Sequence, residues 1–209
     1  MSSFIEVLAN RMLDNLPGKL AHEILMPFPE RLNELPSDDH TKAAVLIALR
    51  YNEGKLEFPL ILRNPGASKD PHRGQIGLPG GRFDKNDPNL VFTALRETHE
   101  EIGIPAEHIK IVGALSPLYI PVSKNLVYPF IGYTETHLEY TLQRSEIMEL
   151  FHCSVDTLKD RNIITKRIIN TSYAKDIAVP GFEIADRWIW GATAMILSEF
   201  KEILDSCIE

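Results

Sequence analysis

Apolar residues recur along this chain with two spacings, and each spacing predicts a different element. Runs that are apolar throughout, or that alternate with polar residues, predict β-strands at 43–51, 58–62, 109–115, 127–134 and 163–170. Steps of three and four residues predict helices at 3–15, 88–102 and 188–204. Strands, a central helix, more strands and a terminal helix predict an α/β fold, an α/β/α sandwich with a mixed β-sheet.

Local signals refine this outline. Asn52-Glu53-Gly54 predicts a hairpin turn between the first two strands. A further strand is predicted near 145–151, with a short helix from Ser154. Pro17-Gly18 ends the first helix, and the Pro-rich, polar segment 26–40 predicts an irregular arm. We therefore predict an N-terminal helix and arm over 1–40 and one domain over 41–209.

The central helix carries the strongest chemical signal. Asp87 is predicted to cap it, with Pro88 as its first residue and Gly103 as a left-handed C-cap. Glu97, Glu100 and Glu101 fall on one face of its last turns, at spacings of three and four. Like charges placed there oppose one another and the helix dipole, and a bound divalent cation would relieve both effects. The competing interpretation is a solvated acidic face.

The residues around these glutamates resemble the Nudix box, G-x5-E-x7-R-E-U-x-E-E-x-G-U. Gly81 supplies the first glycine, and the second half matches at Arg96, Glu97, Glu100, Glu101, Gly103 and Ile104. Asp87 stands where the first Glu is expected, and eight residues separate it from Arg96. That spacing is similar to the coenzyme A pyrophosphatase branch of the Nudix hydrolases.

A second stretch, upstream of the box, also resembles that branch. It runs from Leu60-Ile61-Leu62-Arg63 to His72-Arg73-Gly74-Gln75-Ile76-Gly77-Leu78-Pro79-Gly80-Gly81. The branch pattern has Phe where Leu78 stands, and Asp70 holds the slot of its second basic residue. The resemblance implies hydrolysis of the diphosphate of coenzyme A or its acyl derivatives, giving 3′,5′-ADP and 4′-phosphopantetheine or its acylated form. The residues implied to grip this small-molecule substrate are Arg63, Lys69, Arg73 and Gln75.

The resemblance also implies a metal centre holding Mg²⁺ or Mn²⁺. Glu97 and Glu101 would bind the cation directly, Glu100 would bind it or orient water, and the Gly80 carbonyl would complete the shell. Arg96 would orient a box carboxylate.

The general base is left open between the box glutamates and a later loop, where Glu146 is the candidate. The alternative for Glu146 is an ordinary residue at the entry to a strand or helix. His99 points to another side of the helix and is interpreted as structural. Aromatic residues could line a substrate pocket or belong to the core: Tyr119, Tyr128 and Phe130. Trp188 and Trp190 are interpreted as packing anchors of the last helix.

Composition narrows the choice of partners. The 209 residues carry a net charge of −7, which argues against nucleic acid or an anionic membrane as a partner. Neither a membrane span nor a signal peptide is visible, so we expect a cytoplasmic protein. A homodimer is possible, because the N-terminal arm could pack on its own domain or on another subunit. Two alternatives stay open: another nucleoside diphosphate substrate such as ADP-ribose or NADH, and a noncatalytic nucleotide-binding domain.

Overall fold

The computed structural model describes residues 3–28, 31, 33–67, 72–136, 139–170 and 175–207. Within them a mixed sheet of eight strands is built around β1 (Thr41–Asn52), which pairs in parallel with β7 (Asn125–Thr134) and antiparallel with β2 (Lys55–Arg63). The other strands of this sheet are β3 (Ile76–Gly77), β4 (Gly80–Arg82), β5 (Lys110–Ala114), β6 (Leu118–Ile120) and β8 (Ile147–Ser154).

Strand β1 is buried on both faces because helices cover both sides of the sheet. Its residues Ala44, Leu46 and Ala48 pack in one apolar cluster with α3 (Leu90–Ile102), while Ile47 and Leu49 pack in a second with α5 (Gly191–Ser206). Alternation along one strand thus fills two cores. The predicted α/β/α sandwich with a mixed sheet is confirmed.

The predicted hairpin turn is present between β1 and β2. Asn52 pairs with Lys55, so the turn consists of Glu53 and Gly54, with φ values of 50° and 80°. Two successive positive φ angles are typical of the type I′ turn, whose twist matches that of the strands.

The N-terminal segment contributes to the core. Helices α1 (Ser3–Arg11) and α2 (Lys19–Ile24) place Ile5, Leu8 and Leu25 in the cluster beside α5, each fully buried. This arm therefore packs on its own chain. The boundary at residue 40 stays a prediction about how the chain is divided.

The end of the chain differs from the prediction. Helix α5 begins at Gly191, and both tryptophans lie on β11 (Arg187–Trp190), where their rings stack 5.8 Å apart. This strand joins β9 (Ile164–Ile169) and β10 (Ile177–Ile184) in a second, three-stranded sheet, and a short helix, α4 (Val155–Lys159), precedes it. The prediction that the last helix begins at Trp188 was wrong, because the alternation in Arg-Trp-Ile-Trp favours a strand.

The central helix also starts later than expected. Asn89 is its N-cap, and its side chain accepts a 2.9 Å hydrogen bond from the Phe92 N–H. The prediction that Asp87 caps the helix was wrong, and its side chain has a different role, described below. Gly103 at φ 80° is the left-handed C-cap, as predicted. No helix in the described ranges is long and apolar enough to cross a bilayer.

Candidate active site

The acidic face of α3 lies against the Pro79-Gly80-Gly81 turn that leads into β4. Its three glutamates differ in burial: Glu101 is 1% exposed, Glu97 is partly buried, and the Glu100 side chain is 56% exposed. The face therefore runs from solvent into the interior, and its inner end meets the turn.

Both glycines of the turn allow backbone and carboxylate to approach closely. Gly80 has φ 150°, and a Cβ there would lie 2.3 Å from the Ala44 carbonyl oxygen. Its N–H donates to Glu101 Oε2 at 2.9 Å. A Cβ on Gly81 would lie 2.4 Å from Glu97 Oε2. A side chain at either position would therefore displace the turn from the acidic face.

Arg96 holds the outer part of the cluster. Its Nε and one terminal nitrogen donate to the two carboxylate oxygens of Asp87, each at 2.9 Å, and the other terminal nitrogen donates to Glu97 at 2.9 Å and Glu100 at 3.1 Å. Asp87 is buried and also accepts from the Thr93 hydroxyl at 2.8 Å. The Arg96 guanidinium holds the pKa of Asp87 well below its usual range, and Asp87 raises that of Arg96. Asp87 is thus a fixed anion that orients Arg96.

Arg63, from the end of β2, holds the inner part. One terminal nitrogen lies 3.0 Å from Glu101 Oε1, and the other donates to the Gly80 carbonyl at 2.9 Å. Two guanidinium groups therefore offset part of the negative charge of the acidic face, one from the helix itself and one from the sheet.

Burial nevertheless dominates the electrostatics of the inner carboxylates. It raises the pKa of Glu101 to about 7, against the opposing effect of Arg63 and of the Gly80 N–H. Burial also raises the pKa of Glu97, although Arg96 lowers it. The negative charges of neighbouring glutamates, including Glu146, add to both increases. The site therefore holds more buried negative charge than its two arginines fully compensate.

A hard divalent cation suits this arrangement. The donors are carboxylate and carbonyl oxygens from Glu97, Glu101 and Gly80, the ligand type that Mg²⁺ and Mn²⁺ prefer. Added positive charge would favour the ionised forms of Glu97 and Glu101. Among the described residues, no three His, Cys, Asp or Glu side chains converge as a ready-made metal cage. The Glu101 carboxylate is instead held by Arg63, and the Glu97 carboxylate by Arg96.

Glu146 lies near the site in space, although it is distant along the chain. It is exposed, just before β8, and its carbonyl accepts a 2.7 Å hydrogen bond from the Asn64 N–H next to Arg63. Its negative charge adds to the raised pKa of both inner glutamates, so it lies within electrostatic range of the cluster. His99 is exposed, and its part in the protein stays a prediction.

A cavity of about 320 Å³ adjoins the acidic cluster on the α5 side of the sheet. Arg63, Gly80 and Gly81 line the cavity and also contact the glutamates, so these three residues connect the cavity to the acidic cluster. Apolar residues supply much of its wall: Ala43, Val45, Ile76, Leu78, Ile120, Val127, Trp190, Ala192 and Ile196. Polar groups enter from His72, Gln75, Arg82, Asn125 and Thr193.

The cavity includes two of the four residues expected to grip substrate. Arg63 and Gln75 line it, whereas Arg73 lies on the exposed turn before β3 and is not part of its wall. Lys69 lies outside the described residues. None of Tyr119, Tyr128 and Phe130 lines the cavity; Phe130 packs in the core beside α3.

Several residues of the wall carried no recognisable signal in the sequence. Thr193 and Trp190 reach the cavity from the start of α5, about 110 residues along the chain from the glycine turn. The Thr193 hydroxyl donates to the Ile76 carbonyl at 3.1 Å and so joins α5 to β3. His72 lies within the upstream stretch and Arg82 directly follows Gly81, and these positions were the available clue.

Comparison with known proteins agrees with this geometry. Residues 40–171 match the model of the NUDIX domain. The chain is 30% identical over 159 residues to the uncharacterized Nudix hydrolase NudL of an Enterobacter species, covering 76% of this chain and 80% of that protein. A Photorhabdus laumondii protein of the same name is 29% identical over 179 residues, covering 85% of this chain and 90% of the relative. A Pectobacterium atrosepticum NudL is 34% identical over 121 residues, 58% of this chain and 61% of that one.

Solved structures give the same fold. A C. elegans Ap4A hydrolase in a binary complex superposes with a TM-score of 0.54 at 20% identity, covering 79% of this chain and 98% of that one. The M. smegmatis Nudix hydrolase RenU gives a TM-score of 0.52 at 18% identity, covering 80% and 87%. At these identities the likeness concerns the fold alone.

Proposed function

The chain belongs to the Nudix hydrolase family, whose members hydrolyse nucleoside diphosphate derivatives, and we propose that its substrate is coenzyme A or an acyl-coenzyme A. Water would attack one phosphorus of the diphosphate and break the P–O bond to the bridging oxygen. The products would be 3′,5′-ADP and 4′-phosphopantetheine, or its acylated form.

One observation carries the choice of substrate. The stretch that resembles the coenzyme A branch runs along the wall of the cavity beside the acidic cluster, through His72, Gln75, Gly77 and Leu78. These wall residues would contact the part of the substrate that is attached to the diphosphate, and would therefore select for it. A volume of about 320 Å³ is at the small end for ligand pockets, so it would enclose one part of the substrate.

The inner carboxylates are proposed to hold Mg²⁺ or Mn²⁺. Glu97, Glu101 and the Gly80 carbonyl would be the protein ligands, and Glu100, at the exposed rim, would bind the cation or orient water. When bound, such a cation neutralises phosphate charge and makes a water molecule more acidic. Arg96, fixed on Asp87, would keep Glu97 and Glu100 in place.

Substrate contacts and the general base are also proposals. Arg63 and Gln75 would contact the diphosphate from the cavity wall, because a guanidinium can bind phosphate through two parallel hydrogen bonds. Arg73 would contact the substrate from the exposed turn before β3, and Lys69, which lies outside the described residues, is proposed as a further basic contact. Glu146 is the candidate base: its negative charge lies close enough to affect both inner glutamates.

Product analysis tests the proposal directly. Pure protein with Mg²⁺ or Mn²⁺ is incubated with coenzyme A, acetyl-coenzyme A, NADH, ADP-ribose and diadenosine phosphates, and products are resolved by mass. We expect selective release of 3′,5′-ADP and a phosphopantetheine. Selective cleavage of another compound would support diphosphate hydrolysis and refute coenzyme A as the substrate.

One variant and the wild type separate catalysis from binding. Glu101→Gln removes the buried carboxylate with little change in size and should abolish most turnover while the protein stays folded. Full turnover by folded Glu101→Gln would refute the assignment of Glu101. Absence of turnover by the wild type with either metal would favour a noncatalytic nucleotide-binding domain. Action in the cytoplasm, as a monomer or homodimer, completes the proposal.

A further inference from the structure

The Arg63 side chain occupies the point where two proposed metal ligands converge. Its terminal nitrogens lie 3.0 Å from Glu101 Oε1 and 2.9 Å from the Gly80 carbonyl oxygen. Its side chain is 19% exposed and that of Glu101 is 2% exposed, so the contact is largely shielded from water. The same two oxygens are the innermost donors proposed for the cation.

A guanidinium occupies the oxygens that the proposed cation would use. Each oxygen is in direct contact with a nitrogen that carries positive charge. A cation bound to both would stand within a few ångströms of the guanidinium, and two positive charges repel strongly at that distance in a shielded site. Arg63 therefore has to release at least one oxygen before the cation can take both.

The backbone of Arg63 is fixed while its side chain adjoins open space. The Arg63 N–H donates to the Gln75 carbonyl, and its own carbonyl accepts from the Gly74 N–H, each at 3.0 Å. On the other side it pairs with Ile147 of β8. Movement must come from side-chain torsions. Gly77 lies alongside, where even an added Cβ would be 3.8 Å from Arg63 Nε, and both residues line the cavity.

We propose that Arg63 is an internal counter-ion of the metal-free site that competes with the divalent cation for Glu101 and Gly80. Once displaced, its guanidinium turns into the adjoining cavity and contacts the substrate diphosphate. Metal binding and substrate binding are then coupled through one side chain. This inference rests on the proposed metal ligands, and it is independent of which nucleoside diphosphate derivative is the substrate.

The test is a calorimetric titration of the metal-free protein with Mn²⁺ alone, which measures the affinity for Mn²⁺. It is done at a pH where affinity no longer rises with pH, so that protons do not compete for the carboxylates. Arg63→Gln should bind Mn²⁺ about tenfold more tightly, or better, because at least one charge-assisted hydrogen bond no longer has to be broken. Unchanged or weaker binding by this variant would overturn the proposal.

Arg82→Gln is the matched control. Arg82 lines the same cavity, carries the same charge and has an exposed side chain. Its removal changes the long-range potential alone, and the affinity should change by less than about threefold because solvent screens such charges. An equal gain in both variants would refute direct competition.

Two further arms keep the result interpretable. Glu101→Gln should lose the tight Mn²⁺ site. If Glu101→Gln binds Mn²⁺ like the wild type, the proposed metal ligands are refuted. If Glu101→Gln loses the site but Arg63→Gln binds like the wild type, only the role of Arg63 as a counter-ion is refuted. If Arg63→Gln does not fold, Arg63→Lys replaces it: a single ammonium reaches one oxygen at a time, and Mn²⁺ should still bind more tightly than in the wild type.

The second step has its own readout. At saturating Mn²⁺, Arg63→Gln should raise KM about tenfold for the compound that the wild type cleaves, with a smaller change in kcat, since a guanidinium–phosphate contact is lost. An unchanged KM would refute the transfer of Arg63 to the substrate.

Discussion

Glu101→Gln should change the pH dependence of folding stability in the metal-free protein. Glu101 is buried beside the glycine turn, and burial raises its pKa from an ordinary 4.5 to about 7. In the unfolded chain the carboxyl ionises near 4.5, so between these values the folded protein binds the proton more tightly. Its contribution to stability is therefore complete below pH 4.5 and is lost as the pH rises through about 7.

The size of the effect follows from the two pKa values. A difference from 4.5 to about 7 corresponds to about 3 kcal/mol between acidic and alkaline solution. Glutamine does not titrate, so the variant lacks this slope. The attraction between Arg63 and ionised Glu101 is already contained in the folded-state pKa of Glu101. Replacing the neutral carboxyl by an amide changes stability by an amount that does not depend on pH. The prediction concerns how the difference in the free energy of unfolding between the variant and the wild type changes with pH, and not the absolute size of that difference.

Urea unfolding followed by circular dichroism, in the presence of a chelator, measures the difference. Between pH 5 and 8 the stability of Glu101→Gln should rise relative to the wild type by about 3 kcal/mol. Glu100→Gln is the matched control, because it removes the same charge from a side chain that is 56% exposed, and its difference should change much less over this range. A flat difference for Glu101→Gln, or the same slope in both variants, would refute the role of burial.

Three further predictions concern the supports of the site. Asp87→Asn should lower the free energy of unfolding by about 3 kcal/mol at pH 7, since the buried partner of Arg96 is lost. The wild type should lose this advantage as the pH falls below 3.8, because its Asp87 then becomes protonated. Equal urea midpoints of the two proteins at pH 7 would contradict this prediction. Gly81→Ala should weaken Mn²⁺ binding more than tenfold with an unchanged circular dichroism spectrum, because its Cβ would lie 2.4 Å from Glu97; normal affinity would count against the glycine's role. Glu199→Gln should lower the free energy of unfolding by about 2 kcal/mol and speed amide hydrogen exchange in α2. Buried Glu199 accepts hydrogen bonds from the His22 ring and the Gly18 N–H, and so holds α2 against α5. Unchanged exchange would show that α2 is held by other contacts.

The local elements were predictable because their determinants are close together in sequence. Asn52-Glu53-Gly54 specifies its hairpin through backbone angles of two adjacent residues. The spacing of Glu97, Glu100 and Glu101 places them on one face of any helix, whatever packs around it. Gly103 ends α3 because its left-handed angle suits a glycine. None of these features depends on the rest of the fold.

Features that depend on tertiary contacts were not predictable in the same way. Asp87 and Asn89 are both good N-cap residues, and the choice between them is decided by Arg96, nine residues after Asp87, which binds both oxygens of its carboxylate. Strand β10 contains Pro180 and Gly181, which weaken its signal. A Cβ on Gly181 would lie 2.6 Å from the Trp188 indole nitrogen, so that glycine is explained only by β11 beside it.

The sequence also gave no account of why a buried carboxylate is tolerated before any cation binds. Arg63 is 38 residues from Glu101, and only the pairing of β2 with β3 brings it to the glycine turn. A buried carboxylate without a partner costs several kcal/mol, and Arg63 reduces that cost without removing it, as the raised pKa of Glu101 records. A stronger counter-ion would make the fold more stable and the cation harder to bind. With Glu101 as the proposed metal ligand, partial compensation would limit the cost of the buried carboxylate and leave favourable energy for a divalent cation to gain.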